Sequence, residues 1–275
     1  QPSLEITGKK DAVYYGDTLS LGATGGSVVS WTVSGPADKL SDGQFKITGS
    51  GMVTITATKA ASTGYAEATA TWTFLASPKP VEAIVTAEDK DYDGKTDATL
   101  NVAVTGLVNG DTIPDDGIKA EGQFTDATVG ADKTVIIKLT ISEGVREKYD
   151  ISYEPTTKAS ITQAVPEVTA PTVAGQLTYN GAEQPLLTDG GTATGGNIMY
   201  SLDGGSTYSF NIPTAKDAGG YTVWYKVVAS DENHKDTAPA LAGTVTIAQN
   251  TEKPSNATCS PNTVQYSGTA QTPTV

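Results

Sequence analysis

The stretches "LTYNGAEQPLL" at 177–187 and "VQYSGTAQTPTV" at 264–275 are nearly the same sequence. Their Tyr-x-Gly pattern recurs through the chain, and successive glycines are 78, 87 and 87 residues apart. The motif residues are Tyr14 and Gly16, Tyr92 and Gly94, Tyr179 and Gly181, and Tyr266 and Gly268. A near-constant spacing of this length indicates tandem copies of one folded unit.

Each Tyr-x-Gly motif predicts the end of a strand. We expect the strand to end on a buried tyrosine and a tight turn to follow, in which glycine takes a positive φ. Asp93-Gly94 and Asn180-Gly181 are favoured turn dipeptides. The motif is therefore interpreted as a structural repeat and not as a ligand site.

A second match supports the repeat, because "ATGGSVVSW" at 23–31 parallels "ATGGNIMYS" at 193–201 and places Trp31 near the position of Tyr200. Three later segments alternate between apolar and polar residues, as half-buried strands do. They are "GMVTITATKA" at 51–60, "KTVIIKLTIS" at 133–142 and "GYTVWYKVVAS" at 220–230. The residues predicted to face inward are Val53, Ile55 and Ala57, then Val135, Ile137, Leu139 and Ile141, then Tyr221, Val223, Tyr225 and Val227.

A final strand and a proline-containing, linker-like segment close each unit. The final strands are predicted in "ATATWTFLA" at 68–76, "KASITQA" at 158–164 and "GTVTIAQ" at 243–249, and the linkers are "SPKP" at 77–80, "VPEV" at 165–168 and "NTEKP" at 250–254. The units therefore run over 1–78, 79–165 and 166–250, with 251–275 as the truncated start of a fourth repeat. Units of this size suit seven-strand β-sandwiches with three separate cores. One continuous β-solenoid is the alternative.

The residues of these units also resemble known modules. The stretch "KDYDGKTDATLNVAVTGLVNGDTI" at 90–113 resembles the YDG-type repeat, and "LTYNGAEQPLL" with "IPTAKDAGGYTVWYKVVASDENHKD" at 212–236 resembles the MBG-type repeat. The first unit, with "VVSWTVSG" at 28–35 and "ITGSGMVTITAT" at 47–58, is similar to bacterial immunoglobulin-like group 2 domains. The resemblance implies an all-β chain of tandem immunoglobulin-like β-sandwiches on a bacterial surface or secreted protein, without catalytic residues.

Composition limits the partners of the chain. Its net charge of −13 and pI near 4.4 repel phosphate backbones, so we expect no nucleic acid partner. No apolar run approaches the roughly 18 residues of a membrane helix, so no membrane insertion is expected. The single Cys259 allows no internal disulfide. Because the chain starts at Gln1 without a signal peptide and stops inside a motif, we expect it to be a fragment.

The sharpest candidate for a metal site is "DKDYDG" at 89–94, in which Asp89, Asp91 and Asp93 match the first half of a calcium-binding loop. The twelfth position of such a loop is Leu100 where a bidentate Glu is required, which favours a solvated turn and no bound metal. Two further acidic groups are open to the same two interpretations, a cation site at a domain junction or plain surface. They are Asp111, Asp115 and Asp116, and Asp231, Glu232, Asn233 and Asp236.

The sequence offers no basis for an enzyme. The only histidine, His234, and the only cysteine, Cys259, lie in different units, and neither has an evident orienting partner. His234 is interpreted as an exposed turn residue, with metal binding as the alternative. No carboxylate pair stands out as the acid and base of a glycosidase. We therefore expect no catalytic residue and no cofactor.

We expect a stalk, spacer or adhesin stem that is extracellular or on the cell surface, with neighbouring domains of the same chain as its partners and with proline linkers that give an elongated rod. The alternative is a module that binds a carbohydrate or a host protein. Trp224 is predicted to face away from Tyr221, Val223 and Tyr225, and it serves either such binding or packing under a neighbour. Residues 263–275 are expected to lie extended along a sheet edge, with Tyr266 partly covered.

Overall fold

A computed structural model describes residues 3–25 and 29–251 of the chain. This described part is all-β, as the sequence predicts, with one short helix, α1, at Glu143–Arg146. No helix within it is long and apolar enough to cross a membrane. The predicted behaviour of Tyr266, Gly268 and the segment 263–275, the linker beyond residue 251, and Cys259 lie outside the described residues.

The first sandwich comprises strands β1 to β8, arranged as the sheets β4-β7-β8 and β2-β6-β5 and the pair β1-β3. Val53, Ile55 and Ala57 of β7 are fully buried between the sheets, as their alternation predicts. The Trp31 ring meets Phe45 edge-on, with centroids 5.9 Å apart. The strands are β1 Ile6–Thr7, β2 Thr18–Ser20, β3 Gly22–Ala23, β4 Ser30–Ser34, β5 Ala37–Ser41, β6 Gln44–Ile47, β7 Gly51–Lys59 and β8 Ala68–Ala76.

The second sandwich comprises β9 to β16 and the helix α1. One sheet has the order β10-β16-β14-β13-β11 and the other the order β12-β9-β15. Its core divides into one cluster around Val81 and Tyr149 and another around Val135 and Ile161. The strands are β9 Lys79–Ala87, β10 Lys90–Asp91, β11 Asp97–Ala98, β12 Leu100–Thr105, β13 Ile118–Phe124, β14 Gly130–Ile141, β15 Tyr149–Ser152 and β16 Thr156–Thr162.

The third sandwich comprises β17 to β26, with the main sheet β19-β26-β25-β23 and the short pairs β17-β22, β18-β21 and β20-β24. Val223 and Val227 of β25 are fully buried, and Tyr221 and Tyr225 pack against the same core, so the predicted inward face is confirmed. The strands are β17 Glu167–Thr169, β18 Thr172–Val173, β19 Leu177–Thr178, β20 Gln184–Pro185, β21 Leu187–Asp189, β22 Thr192–Thr194, β23 Gly196–Ser201, β24 Thr214–Ala215, β25 Gly219–Ala229 and β26 Ala240–Ala248.

A common topology relates the three sandwiches. In the second and third, a two-residue strand just before the tyrosine motif pairs parallel with the last strand, β10 with β16 and β19 with β26. In the first sandwich the equivalent contact is the parallel bridge of Tyr14 with Ser77, which follows β8. An early strand parallel to the last one, beside a sheet of antiparallel strands, is the arrangement of an immunoglobulin-like sandwich.

The same topology corrects the predicted position of the motif tyrosine in the first sandwich. The tyrosine whose backbone N–H donates to the carbonyl at the end of the last strand is Tyr15, Tyr92 or Tyr179, bonded to Ser77, Thr162 and Ala248 respectively. Tyr14 is 36% exposed, so it is not the buried tyrosine that the motif predicts, whereas Tyr15 is 7% exposed. Tyr15 is therefore the structural equivalent of Tyr92 and Tyr179, which are half-buried.

Two further expectations differ from the structure. The segment 77–80 is not a free linker, because Ser77 bonds to Val13 and Tyr15, and Lys79 and Pro80 pair with β15 as the start of β9. The cores are not three separate ones, because the second sandwich has two and one of them includes Tyr15. Compact units divide between Thr162 and Gln163, which leaves the first two sandwiches in one unit. The predicted limits of the individual domains stay predictions.

Candidate functional site: the junction between the first two sandwiches

The turn that follows Val13 directs Tyr15 out of its own sandwich. The Asp17 N–H donates to the Tyr14 carbonyl over 3.0 Å, and Gly16 has a φ of 83°. This is the geometry of a type II turn, which requires a positive φ at its third residue. Because Tyr15 lies at the second position of the turn, its ring leaves the first sandwich and joins the core cluster of the second.

The Tyr15 ring lies against Tyr149, the first residue of β15. The ring centroids are 5.3 Å apart and the planes are 85° apart, which is an edge-to-face contact. The Tyr15 hydroxyl donates to Asp111 Oδ2 over 2.6 Å, and the Tyr149 hydroxyl donates to the same oxygen over 2.5 Å. One carboxylate oxygen therefore joins a side chain of each sandwich.

Asp111 belongs to a long connection between β12 and β13, residues 106–117, which we call the socket loop. Its Val108 N–H donates to the Tyr149 hydroxyl over 3.0 Å, and its Asp111 N–H donates to the Val108 carbonyl over 2.9 Å. The Val108 side chain packs directly on Gly16, where an added Cβ would lie 2.3 Å from Val108 Cγ2. Only glycine at position 16 therefore permits this approach.

Further contacts fix the junction on its other sides. The Ser50 N–H of the first sandwich donates to the Glu147 carbonyl of the second over 3.0 Å. The Lys148 ammonium lies 5.5 Å from the centroid of the Tyr15 ring, within the range of a cation–π contact. The covalent connection is short as well, because β8 ends at Ala76 and β9 begins at Lys79.

The three side chains of the junction influence one another's ionisation. Hydrogen bonds from Tyr149 and Tyr15 hold the pKa of the Asp111 carboxyl below its ordinary value. Burial, followed by the hydrogen bond to Asp111, raises the pKa of Tyr149 to about 12. The same two causes raise the pKa of Tyr15 still further. Asp111 is therefore charged and both tyrosines are neutral over the whole physiological range.

These pKa directions argue against acid–base chemistry at the junction. A general acid or base works best when its pKa lies near the working pH. Here the carboxyl pKa moves down and the phenol pKa values move up, away from neutrality in both cases. A cavity of about 320 Å³ adjoins the cluster, and Asp111 Oδ2 already accepts two hydroxyls. The arrangement is suited to holding two domains together.

The calcium candidates Asp89, Asp91 and Asp93 each bind a donor of the chain itself. Asp89 accepts the Ser160 N–H, and Asp91 accepts the Thr162 hydroxyl. Asp93 accepts the Lys90 ammonium over 2.8 Å and the Lys95 N–H over 2.9 Å. No group of three or more potential metal ligands gathers in the described part of the chain.

The other acidic groups are also used internally. Asp111 accepts the two tyrosine hydroxyls of the junction. Asp236 accepts the Ala229 N–H over 2.9 Å. The Glu232 carbonyl accepts the Gln163 side chain over 3.1 Å. In this loop the carboxylates and carbonyls therefore brace the chain.

His234 differs from the expected exposed turn residue. Its side chain is 15% exposed, and its ring lies on Gly195, where an added Cβ would be 2.4 Å from the ring. Its Nδ1 lies 2.8 Å from Asp231 Oδ1, and this hydrogen bond lowers the pKa of Asp231. No local sequence pattern indicates this packing, because the ring meets a glycine 39 residues away along the chain. His234 therefore packs its loop against Gly195, the residue that precedes β23.

Trp224 lies on the face of β25 opposite Val223, as predicted. It is half-buried, and it pairs across the sheet with Ser201 and Leu241. On the same face the Lys226 ammonium lies 4.8 Å from the centroid of the Tyr208 ring. The face is therefore partly covered by its own side chains.

Sequence reasoning missed the residues that form the junction. It placed Tyr14 and not Tyr15 in the motif, and it considered Asp111 only as part of an acidic cluster. Two signals pointed to the site. The Tyr14-Tyr15 doublet offers two registers for the motif, and the socket loop is unusually long for a connection within a compact domain.

Comparison with known proteins identifies one region of the chain. No curated protein matches it significantly. Among solved structures, it is similar to Sidekick-1 immunoglobulin domains 1-5 at 13% identity and a TM-score of 0.28, covering 90% of this chain and 58% of that one. It is also similar to Drosophila N-cadherin EC1-4 at 10% identity and a TM-score of 0.20, covering 81% and 67%. Residues 77–159, which include Asp111 and Tyr149, match the family model of the YDG domain.

Proposed function

We propose that this chain is a non-catalytic spacer, a stalk or adhesin-stem segment of a bacterial cell-surface or secreted multidomain protein. The observation that carries the proposal is the docked junction, in which Tyr15 of the first sandwich and Tyr149 of the second donate to Asp111. A spacer must keep its direction, and domains joined by a flexible linker do not.

The junction has enough contacts to resist bending. A hydrogen bond to a charged group contributes about 1.5–3 kcal/mol, and Asp111 accepts one from each sandwich. The edge-to-face tyrosine pair adds about 1 kcal/mol. Bending at this point would break these contacts together, so the first two sandwiches hold one relative orientation.

The proposed location is extracellular, on the basis of the YDG match at 77–159 and the resemblance of the flanking units to bacterial immunoglobulin-like modules. The proposed partners are neighbouring domains of the same polypeptide. Antibodies against this segment should label intact cells of the source organism, or detect the parent protein in the medium. Labelling that requires permeabilised cells would contradict the proposed location.

Distance measurement between spin labels tests the spacer role. In a Cys259→Ser background, cysteines replace the exposed Thr71 of the first sandwich and the exposed Lys119 of the second. We expect a single narrow distance distribution, because the docked junction allows one orientation. Tyr15→Phe combined with Asp111→Ala should broaden it. A broad distribution in the protein without those two changes would overturn the proposal.

A carbohydrate- or host-protein-binding module is the second candidate, and the position of Trp224 on the outer face of β25 favours it. A partly exposed tryptophan can stack on a sugar ring. A glycan or host-protein binding screen tests this candidate with Trp224→Ala as the variant. Binding that Trp224→Ala weakens would support it, and absence of binding, or binding that the variant leaves unchanged, would contradict it.

A further inference from the structure

The socket loop lacks the regular pairing that holds other long segments of the second sandwich. It joins Thr105, the last residue of β12, to Ile118, the first residue of β13. Its own backbone bonds include the turns Asp111 to Val108 and Gly117 to Pro114. Loops of about this length are uncommon in compact domains unless they carry a function.

The contacts that anchor the middle of the loop come from two sources. Tyr149 belongs to the same sandwich, accepts the Val108 N–H and donates to Asp111. Tyr15 and Gly16 belong to the first sandwich, and they supply the second hydroxyl and the surface against which Val108 packs. Without the first sandwich, the Asp111 carboxylate loses one donor and Val108 loses its contact with Gly16.

We infer that the first sandwich orders the socket loop, so that residues 106–117 are an interaction surface that takes its folded conformation when the Tyr15-Gly16 turn docks on it. The partner that this surface fits is a tyrosine followed directly by a glycine with a positive φ. The tyrosine brings the hydroxyl to Asp111, and the glycine allows Val108 to approach. The coupling is reciprocal, since a surface ordered by docking also stabilises the docked turn.

The other Tyr-x-Gly turns of the chain explain why this partner is specific. In Tyr92-Asp93-Gly94 and Tyr179-Asn180-Gly181 an extra residue separates the tyrosine from the glycine. A Cβ added at Gly94 meets only the Tyr92 hydroxyl, at 3.9 Å, and one added at Gly181 meets nothing within 4 Å. The close approach at Gly16 is therefore a property of the shorter turn. This inference concerns folding, and it does not depend on the spacer role.

Amide hydrogen exchange in the complete chain tests the inference at two amides of the socket loop. The Val108 N–H donates to the Tyr149 hydroxyl, and the Asp111 N–H donates to the Val108 carbonyl. Tyr15→Phe removes one hydroxyl and keeps the ring. We expect it to accelerate exchange at both amides about tenfold, which corresponds to a loss of about 1.4 kcal/mol. Gly16→Ala should accelerate exchange further. The matched changes Tyr179→Phe and Gly181→Ala should leave both rates unaltered.

Exchange at Phe45 and Val53, in the core of the first sandwich, shows whether that sandwich itself remains folded. Faster exchange in the socket loop while these core amides stay protected supports the inference. Two results would overturn it. One is an unchanged rate at Val108 and Asp111 in Tyr15→Phe, and the other is acceleration that only matches the loss of protection at Phe45 and Val53.

Discussion

The Tyr15 turn and the Tyr179 turn occupy the same place in their sandwiches and serve different purposes. In both, the tyrosine N–H bonds the end of the last strand, at Ser77 in one case and Ala248 in the other. Tyr179 then packs against the core of its own sandwich, whereas Tyr15 packs into the core of the next one. The tyrosine that bonds to the last strand is thus a core residue in the third sandwich and a docking residue in the first.

The two turns differ in length by one residue. Between Tyr179 and Gly181 the chain has Asn180, whose side chain accepts the Ala182 N–H over 2.9 Å and closes a local turn. Asp93 does the same for Lys95 in the second sandwich. The first turn has no such residue, because Gly16 follows Tyr15 directly. The turn in which glycine directly follows the tyrosine makes the interdomain contact, and the two longer turns close locally.

The largest effect is expected from replacing the glycines of the three turns. Gly16, Gly94 and Gly181 have φ values of 83°, 74° and 78°, so alanine should cost each turn about 1–2 kcal/mol. Only Gly16→Ala also forces a Cβ onto Val108, which adds about 1–3 kcal/mol of overpacking. Denaturant unfolding of the three variants should therefore rank Gly16→Ala as the most destabilised, and equal losses for all three would contradict the role given to Val108.

A smaller difference is expected between the tyrosines. Tyr15→Phe leaves Asp111 with one donor and should cost about 1–2 kcal/mol. Tyr179→Phe changes a half-buried residue without this partner and should cost less than about 0.5 kcal/mol. Thermal melting of both variants compares them. A greater loss of stability in Tyr179→Phe than in Tyr15→Phe would contradict the role given to the Tyr15 hydroxyl.

The effect of pH on the stability of the junction should be smaller than the effects of these substitutions. The pKa of Asp111 is lowered in the folded state, so its contribution is present above its unfolded pKa and is lost as pH falls through the folded pKa. The pKa values of Tyr15 and Tyr149 are raised, so their contribution is complete below their unfolded pKa of about 10 and is lost as pH rises towards the folded values. The junction is therefore most stable between about pH 4 and pH 10.

Absorbance of tyrosinate during an alkaline titration measures the ionisation of Tyr15 and Tyr149 directly. Tyr149, with a pKa of about 12, and Tyr15 should ionise after the exposed tyrosines. In Asp111→Ala both should ionise earlier, because the carboxylate that disfavours the phenolate is gone. Unaltered titration in Asp111→Ala would show that burial alone sets the two pKa values.

Calcium should have the smallest effect on stability, and the turn at which it is tested is that of Tyr92. Asp93 of that turn already accepts Lys90 and Lys95, so millimolar Ca²⁺ should shift the melting temperature by less than about 1 °C. Differential scanning calorimetry with Ca²⁺ and with a chelator measures the shift. A rise of many degrees that Asp91→Ala abolishes would require a bound cation at this turn.

The strands and the inward faces could be predicted from the sequence, because alternation along an isolated strand fixes which residues are buried. Val53, Ile55 and Ala57 show this, since they alternate with Thr54, Thr56 and Thr58 and each is fully buried. The positive φ of Gly16 could be predicted as well, because it depends on a local turn.

The junction could not be predicted in the same way. Tyr15 and Asp111 are 96 residues apart in the chain, and their contact depends on how two complete sandwiches meet. The Tyr-x-Gly spacing favours Tyr14, whereas the strand register selects Tyr15, and the pattern contains no information about that one-residue shift. The packing of His234 on Gly195 was missed for the same reason, since nothing local to either residue specifies the other.

A double-mutant cycle between Tyr15→Phe and Asp111→Ala tests most directly whether the first two sandwiches are joined through this hydrogen bond. In a Trp224→Phe background the remaining tryptophans, Trp31 and Trp72, both report on the first sandwich. We predict that Asp111→Ala, although it lies in the second sandwich, lowers the free energy of unfolding seen by these tryptophans, with an interaction energy of about 1 kcal/mol between the two changes. Additive effects, or no effect of Asp111→Ala on the tryptophan transition, would contradict the account.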